Sequence, residues 1–163
     1  MYKGVSGKIV TLQTASLLAA QNKQAGKKIV LATGNYDIFH PGHLFFLEDA
    51  SKFGDVLIAG IASDQLIKQS KDPNRPIFNE NDRAIIVAAL EAVNYVLIFS
   101  DIYELIKVIL PNVLVVSPTS NEKYNAKKIA LANRLGIEIK MIPSRHKLHT
   151  SDIIAKIKSL KSI

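Results

Sequence analysis

Two histidines stand three residues apart in the stretch Gly34-Asn35-Tyr36-Asp37-Ile38-Phe39-His40-Pro41-Gly42-His43. An imidazole can donate to a phosphate oxygen, and near neutral pH it can gain charge as negative charge builds up beside it. At this spacing His40 and His43 flank one turn and can face the same anion. Gly42 carries no side chain, so a bulky ligand can come close to the backbone. The neighbourhood lacks cysteine and is poor in acidic residues, which makes a structural zinc site a poor fit. The plainer alternative is a pair of loop histidines beside an ordinary strand–helix junction. The elements on either side, and Asp37 three residues ahead of His40, favour the anion site.

Those elements are legible. Lys28-Ile29-Val30-Leu31-Ala32-Thr33 is an apolar, partly β-branched run that predicts a buried strand. Leu44 to Phe53 predicts a helix, with Pro41 near its start and Gly54 as its stop. The histidines therefore fall where a strand hands over to a helix, the edge at which open α/β sheets bind ligands. A helix N-terminus adds free N–H groups and a positive dipole end, both suited to phosphate. Asp55 to Ala62 predicts a second buried strand, and either Ser63 or Asp64 caps a short helix running through Lys68. Two apolar strands separated by a helix form a βαβ unit and imply a parallel sheet.

The chain has 163 residues, 48% of them hydrophobic, which suits one compact α/β domain with a substantial core. No apolar run reaches membrane-spanning length, and the first thirty residues lack a signal-peptide pattern. The absence of cysteine excludes disulfides and thiolate chemistry and fits a cytoplasmic protein. The formal charge of +7 points to an anionic partner. Lys156, Lys158 and Lys161 have no aromatic residues between them for base stacking, so nucleotides are expected rather than nucleic acid. No membrane partner is expected.

Thr11 caps a predicted helix to Gln24, stopped by Gly26, which makes residues 1–26 an N-terminal extension with a mobile start over 1–7. Residues 27–163 form the main domain. Lys68 to Pro76 is a basic loop with two prolines whose charges, those of Lys71 and Arg75 included, read as solvated. Asn79 caps a helix from Glu80 to Ala92, and Arg83 in its first turn opposes the helix dipole. On this pattern alone Arg83 is a plain surface arginine. Tyr95 to Phe99 and Val113 to Val116 are further strands, separated by an amphipathic helix from Ile102 to Leu110 that Pro111 ends. Asn125 to Leu135 is a helix closed by Gly136, and Glu138 to Ile142 is the fifth strand. Thr150, Ser151 and Asp152 are helix-start residue types, with Arg145 and Lys147 nearby.

The stretch around His40 and His43 resembles the signature of the H-x-G-H nucleotidyltransferases, the cytidylyltransferase-like superfamily. Within it the chain is most similar to the adenylyltransferase domain of ADP-heptose synthesis, from Lys8-Ile9-Val10-Thr11-Leu12 to Asp152-Ile153-Ile154. The resemblance implies a single Rossmann-like domain, a five-stranded parallel sheet with helices on both faces. It also implies transfer of a nucleoside monophosphate from ATP or CTP to a phosphorylated small molecule, with loss of pyrophosphate. By the resemblance His40, His43 and Lys71 are catalytic. Gly34, Asn35, Tyr36, Asp37, Gly42, Thr150 and Ser151 bind nucleotide, with Asp37 bracing the turn; Arg75, Arg83, Ser117 and Thr119 bind acceptor. The same resemblance implies that Lys71 and Arg75 meet phosphates and that an anion or a loop carboxylate faces Arg83. Mg²⁺ would arrive on the triphosphate, since no carboxylate cluster offers a protein cage. A homodimer is compatible with this class.

One segment departs from the family. After the fourth strand the family has lysine, two glycines, aspartate and tyrosine, lining the acceptor site, where this chain has Val116-Ser117-Pro118-Thr119-Ser120. At the last turn His149 replaces the usual serine ahead of Thr150 and Ser151. Three functions therefore stand open: a sugar 1-phosphate adenylyltransferase of the heptose 1-phosphate kind, a glycerol- or polyol-phosphate cytidylyltransferase, and a nucleotide-binding protein that has lost catalysis.

Overall fold

The computed structural model describes residues 4–70, 74–118, 122–146 and 149–160. Five strands form one all-parallel sheet in the order β3-β2-β1-β4-β5. They are β1 (Ile29–Gly34), β2 (Val56–Ala62), β3 (Tyr95–Phe99), β4 (Val113–Val116) and β5 (Glu138–Met141). The helices, in chain order, are α1 (Val5–Lys8), α2 (Leu12–Gln24), α3 (Pro41–Ser51), α4 (Asp64–Ser70), α5 (Glu80–Ala88), α6 (Ile102–Ile109), α7 (Glu122–Arg134) and α8 (Thr150–Ser159). The α/β fold expected from the sequence is the one observed.

Strand periodicity divides the core between the two faces of the sheet. Ile29 and Leu31 point into one cluster with Leu97, Leu105, Ile106, Leu114 and Leu131. Val30 and Ala32 point into the other with Leu47, Leu57, Val87, Val96 and Val113. Both faces must be covered, which is why the central strands read as continuous apolar runs. α2 joins the first cluster through Ala15 and Ala19, both fully buried. Ile9 forms a single parallel bridge to Val96 beyond the sheet's regular strands.

The order in which strands are added reverses at β1, which pairs with β2 on one side and β4 on the other. The crevice at the carboxyl ends of β1 and β4 is the topological switch point. At the opposite edge, side chains take up strand-starting N–H groups. Asp55 accepts from Lys28 N (2.7 Å), Asn112 from Ile29 N (2.8 Å) and Asn94 from Leu57 N (2.7 Å).

Several boundaries move from the expected ones. α3 starts at Pro41 because His40 caps it, its Nδ1 accepting from Gly42 N at 3.1 Å. α5 stops at Ala88, four residues early, α7 starts at Glu122 and α8 at Thr150. The start of the chain is not wholly loose: Val5–Lys8 forms a helical turn, and Lys8 Nζ donates to the Leu90 carbonyl (2.8 Å). Residues 1–3 lie outside the described residues. Gly54, placed as a helix stop, has a second reason to be glycine: a Cβ there would lie 2.6 Å from the Lys28 carbonyl oxygen. Gly26 and Gly136 close α2 and α7 with φ of +77° and +68°, as their placement predicts.

Candidate active site

The signature runs from the end of β1 into α3. Its backbone turns twice through the left-handed region, at Tyr36 (φ 52°) and Ile38 (φ 49°). Such conformations cost energy for residues with side chains and persist only where surrounding contacts impose them. Gly34 makes room for the first: a Cβ there would meet the Tyr36 ring at 3.0 Å. Tyr36 is buried in the core, its ring packed edge-on to His43 with centroids 5.5 Å apart. Burial pushes its phenol pKa up, so the hydroxyl stays protonated.

Two buried charges hold the turn. Asp37 is 1% exposed, and its carboxylate accepts from Ile77 N (3.0 Å), Phe78 N (3.0 Å) and Arg75 Nε (2.7 Å). Burial alone would raise its pKa, but the Phe78 and Ile77 N–H groups and the Arg75 guanidinium outweigh it and hold it below the usual range. Arg83 is fully buried; Nε donates to the Phe78 carbonyl (3.0 Å), Nη1 to Asn35 (2.5 Å), and Nη2 to Ala62 (2.7 Å) and Asp64 Oδ1 (2.6 Å). Placing Arg83 at the acceptor is therefore corrected. Its guanidinium ties together the Asn35, Ala62 and Phe78 carbonyls, and the carboxylate that faces it is Asp64, the first residue of α4. Ser63 is then the residue that caps α4, its Oγ accepting from Leu66 N at 3.2 Å. The Asp37 carboxylate, occupied from three directions, braces the turn.

His40 and His43 stack with ring centroids 3.9 Å apart and planes 30° from parallel. His40 Nδ1 accepts from Gly42 N, so the neutral ring carries its proton on Nε2. Its pKa is lowered by burial and by the charges of His146 and His149, with Asp152 opposing. His43 is pulled down further, to about 3, by burial and then by His40, with Asp37 opposing. At neutral pH His43 is an uncharged donor, not the imidazolium its type alone allows. Its Nδ1 is buried with no partner among the described residues.

These groups open onto a cleft of about 1000 Å³. Of the residues singled out in the sequence, Gly34, Asn35, Tyr36, Asp37, His40, Gly42, His43, Arg75, Ser117, Thr150 and Ser151 all line it. Arg83 is absent from its walls, and Lys71 and Thr119 lie outside the described residues. Thr150 Oγ1 donates to the Asp37 carbonyl (3.1 Å), fixing the start of α8 to the signature turn 113 residues away. Asp152 caps this helix by accepting from His149 N (2.9 Å). Arg145 is paired with Asp49 (2.7 Å) and Glu48 (3.6 Å) and lies over the Phe45 ring. No local pattern singles out Lys128, which lines the cleft although 2% exposed.

The donors present do not fit a protein-held metal. Asp37 is spent on three N–H groups and Asp49 on Arg145 and Lys52. Among the described residues no three metal-binding side chains gather. No helix among them is long and apolar enough to cross a membrane.

A parallel sheet with a stacked histidine pair at the switch point defines a nucleotidyltransferase-type domain. The cytidylyltransferase-like family model matches residues 31–156, and the chain belongs to that family. It is 40% identical over 151 residues to the bifunctional protein HldE of Aliarcobacter butzleri, a match covering 91% of this chain and 31% of that protein. With the bifunctional protein HldE of Sulfurimonas denitrificans it shares 41% over 138 residues, 83% of this chain and 28% of that one. The chain thus spans less than a third of the length of these curated relatives. Among solved structures it resembles a lipopolysaccharide core biosynthesis protein from Thermoplasma volcanium, at 25% identity and TM-score 0.62, covering 76% of this chain and all of that one. It shares its fold with a pantoate-β-alanine ligase from Francisella tularensis, at 15% identity and TM-score 0.61, over 94% and 77% of the two chains.

Proposed function

We propose that the chain transfers a nucleoside monophosphate from ATP or CTP to a phosphorylated small molecule, releasing pyrophosphate. The acceptor we propose is a sugar 1-phosphate, with heptose 1-phosphate and ATP as the pair. The observation that carries the transfer reaction is the stacked His40–His43 pair in a cleft that also holds the start of α8. What supports the heptose acceptor is the likeness to the adenylyltransferase domain of ADP-heptose synthesis and the 40% identity with HldE.

In this proposal an acceptor phosphate oxygen attacks the α-phosphorus in line, and the bond to the bridging oxygen of pyrophosphate breaks. Such a step needs positioning and neutralised charge more than a covalent catalyst. His40, donating from Nε2, and neutral His43 stabilise the charge developing on the α-phosphate and the bridging oxygen. The first turn of α8, with Thr150 and Ser151, receives the β- and γ-phosphates at a helix N-terminus. Lys71, outside the described residues, is proposed to join them. Magnesium would enter bound to the triphosphate, where it neutralises charge; no residue here is assigned to hold it.

The loop after β4 favours a second reading. Its Ser117-Pro118-Thr119-Ser120 lacks the family's lysine and aspartate, which fits a different acceptor such as a polyol phosphate with CTP. Pyrophosphate release, screened over four nucleoside triphosphates against heptose 1-phosphate, glycerol 3-phosphate and a polyol phosphate, tests both. Release that needs ATP and a sugar 1-phosphate is the expected result. Release that needs CTP and glycerol 3-phosphate would replace the first reading with the second, and no release with any pair would defeat both.

A further inference from the structure

His40 and His43 differ in what holds their protons in place. In His40 the backbone decides: Nδ1 accepts from Gly42 N (3.1 Å), so Nε2 carries the proton. His43 has no such partner. Its Nδ1 is buried and bonds to nothing among the described residues, although a neutral imidazole has one donor nitrogen and one acceptor nitrogen. Burial keeps that ring uncharged, with a pKa of about 3. For its Nε2 to donate to a phosphate, Nδ1 must be the acceptor, and a buried acceptor calls for a donor.

Three rings pack on His43: Tyr36 edge-on and Phe39 tilted, both 5.5 Å away between centroids, and His40 stacked at 3.9 Å. Phe39 has no polar atom, and a stacked ring such as His40 aims its N–H along its own plane, beside His43. Tyr36 brings a hydroxyl, which is also buried and also without a partner among the described residues. That hydroxyl is a lasting donor, because burial raises the phenol pKa and keeps the proton on. Its place is held from behind. Tyr36 is 1% exposed, and a Cβ on Gly34 would stand 3.0 Å from Cζ, the ring atom that bears the hydroxyl. Phenylalanine would fill the same space without burying an unbonded hydroxyl, so volume alone does not account for a tyrosine here. Two buried polar atoms of complementary type thus lie on rings in contact, in the wall of one cleft.

We propose that Tyr36 is a positioning residue for His43, its hydroxyl donating toward Nδ1 and so holding the imidazole in the form that carries its proton on Nε2. The two atoms are not bonded directly, so one water between them is the relay. The backbone sets the tautomer of His40 and a core side chain sets that of His43, which gives both rings a donor for the same anion. This rests on the transfer reaction proposed above and deepens it, naming what places the proton on the second histidine.

The test reads the tautomer itself, by two-bond proton–nitrogen correlation spectra of the isotope-labelled chain at neutral pH, with His43→Gln identifying the His43 signals by their loss. In the wild type His43 should carry its proton on Nε2. Tyr36→Phe, which keeps the ring, should shift the balance toward the Nδ1–H form by at least about fivefold, the worth of one neutral hydrogen bond. It should lower kcat by about the same factor and leave the Michaelis constant for nucleotide within about twofold. In the wild-type chain the Tyr36 hydroxyl proton should exchange slowly enough to be observed and show cross-relaxation with the His43 ring, a measurement that needs no variant to fold. A tautomer shift without any transfer would defeat the reaction and leave Tyr36 in its role. Transfer as proposed, with the His43 tautomer unchanged in Tyr36→Phe, would defeat the role and leave the reaction. A wild-type His43 that carries its proton on Nδ1, aimed at the neighbouring aromatic rings, would also overturn the role.

Discussion

The two edges of the same sheet handle polar groups in opposite ways. At the amino edge Asp55, Asn94 and Asn112 each reach back to an N–H that starts a strand, so the edge is closed by its own side chains. At the carboxyl edge three buried polar atoms, Tyr36 Oη, His43 Nδ1 and Asn125 Oδ1, have no hydrogen-bond partner among the described residues. A fold optimised only for stability would close both edges. The unclosed edge is the one that keeps bonding capacity for a ligand, and it is held open by a small number of buried braces.

The strongest way to break that contrast is to remove a brace. Arg83→Met leaves three carbonyls, of Asn35, Ala62 and Phe78, without their donor and Asp64 without its partner. Losing one side of a buried charged network costs about 3–5 kcal/mol. Urea unfolding should show a loss of that order, with activity falling because the Asn35 turn is released. A loss below about 1 kcal/mol, the range of ordinary surface changes, would mean the carboxyl edge is not braced by Arg83.

His43→Ala probes the other half of the contrast, a group kept for chemistry. Transfer should fall about 10²- to 10³-fold, the usual cost of one donor used in a transition state. Nucleotide affinity, by titration, should change little, since the interaction is strongest in the transition state. Near-normal turnover would remove His43 from the reaction.

Asp37→Asn separates charge from shape. The replacement keeps the volume but gives up the charge that the Ile77 and Phe78 N–H groups and Arg75 bind, costing about 2 kcal/mol at pH 7. The folded carboxyl has a lowered pKa, so its contribution is complete above the ordinary aspartate range near pH 4 and is lost as pH falls through the lowered value. Unfolding free energies of wild type and variant should therefore converge on acidification below about pH 4. A gap that stays constant down to pH 2 would show that the carboxylate's charge is not what holds the turn.

Legibility in the sequence followed the same division. Strands β1 to β5 and the signature were readable because hydrophobic patterning and short-range motifs are local in the chain. The strand-to-helix position of His40 and His43 followed directly from them. The braces were only half readable. Arg83 could be expected to meet a loop carboxylate, but its burial depends on carbonyls 5 to 48 residues away, which no local pattern reports. Lys128 was invisible for a similar reason: on α7 it reads as one more solvated lysine, and only the packing of α7 against β5 and α6 turns it inward. The lowered pKa of His43 was hidden too, because it arises from burial beside Tyr36, Phe39 and His40.

The smallest expected effect sharpens the amino edge. Asn112 is exposed, yet its Oδ1 accepts from Ile29 N (2.8 Å), at the start of a strand whose first residue is fully buried. Asn112→Ala removes that acceptor and leaves the N–H to whatever water can reach it, a loss of about 1–2 kcal/mol. Asn112→Asp keeps an oxygen in the same place and should recover most of the loss, which cavity formation or backbone change would not allow. The carboxyl edge lies at the far end of β1, so the Michaelis constants for nucleotide and acceptor should be unchanged in both variants. Denaturation midpoints and steady-state kinetics measured on the same preparations decide it. If Asn112→Ala alters the kinetics as strongly as the stability, the edges are not independent, and the open site draws on the closed one through β1.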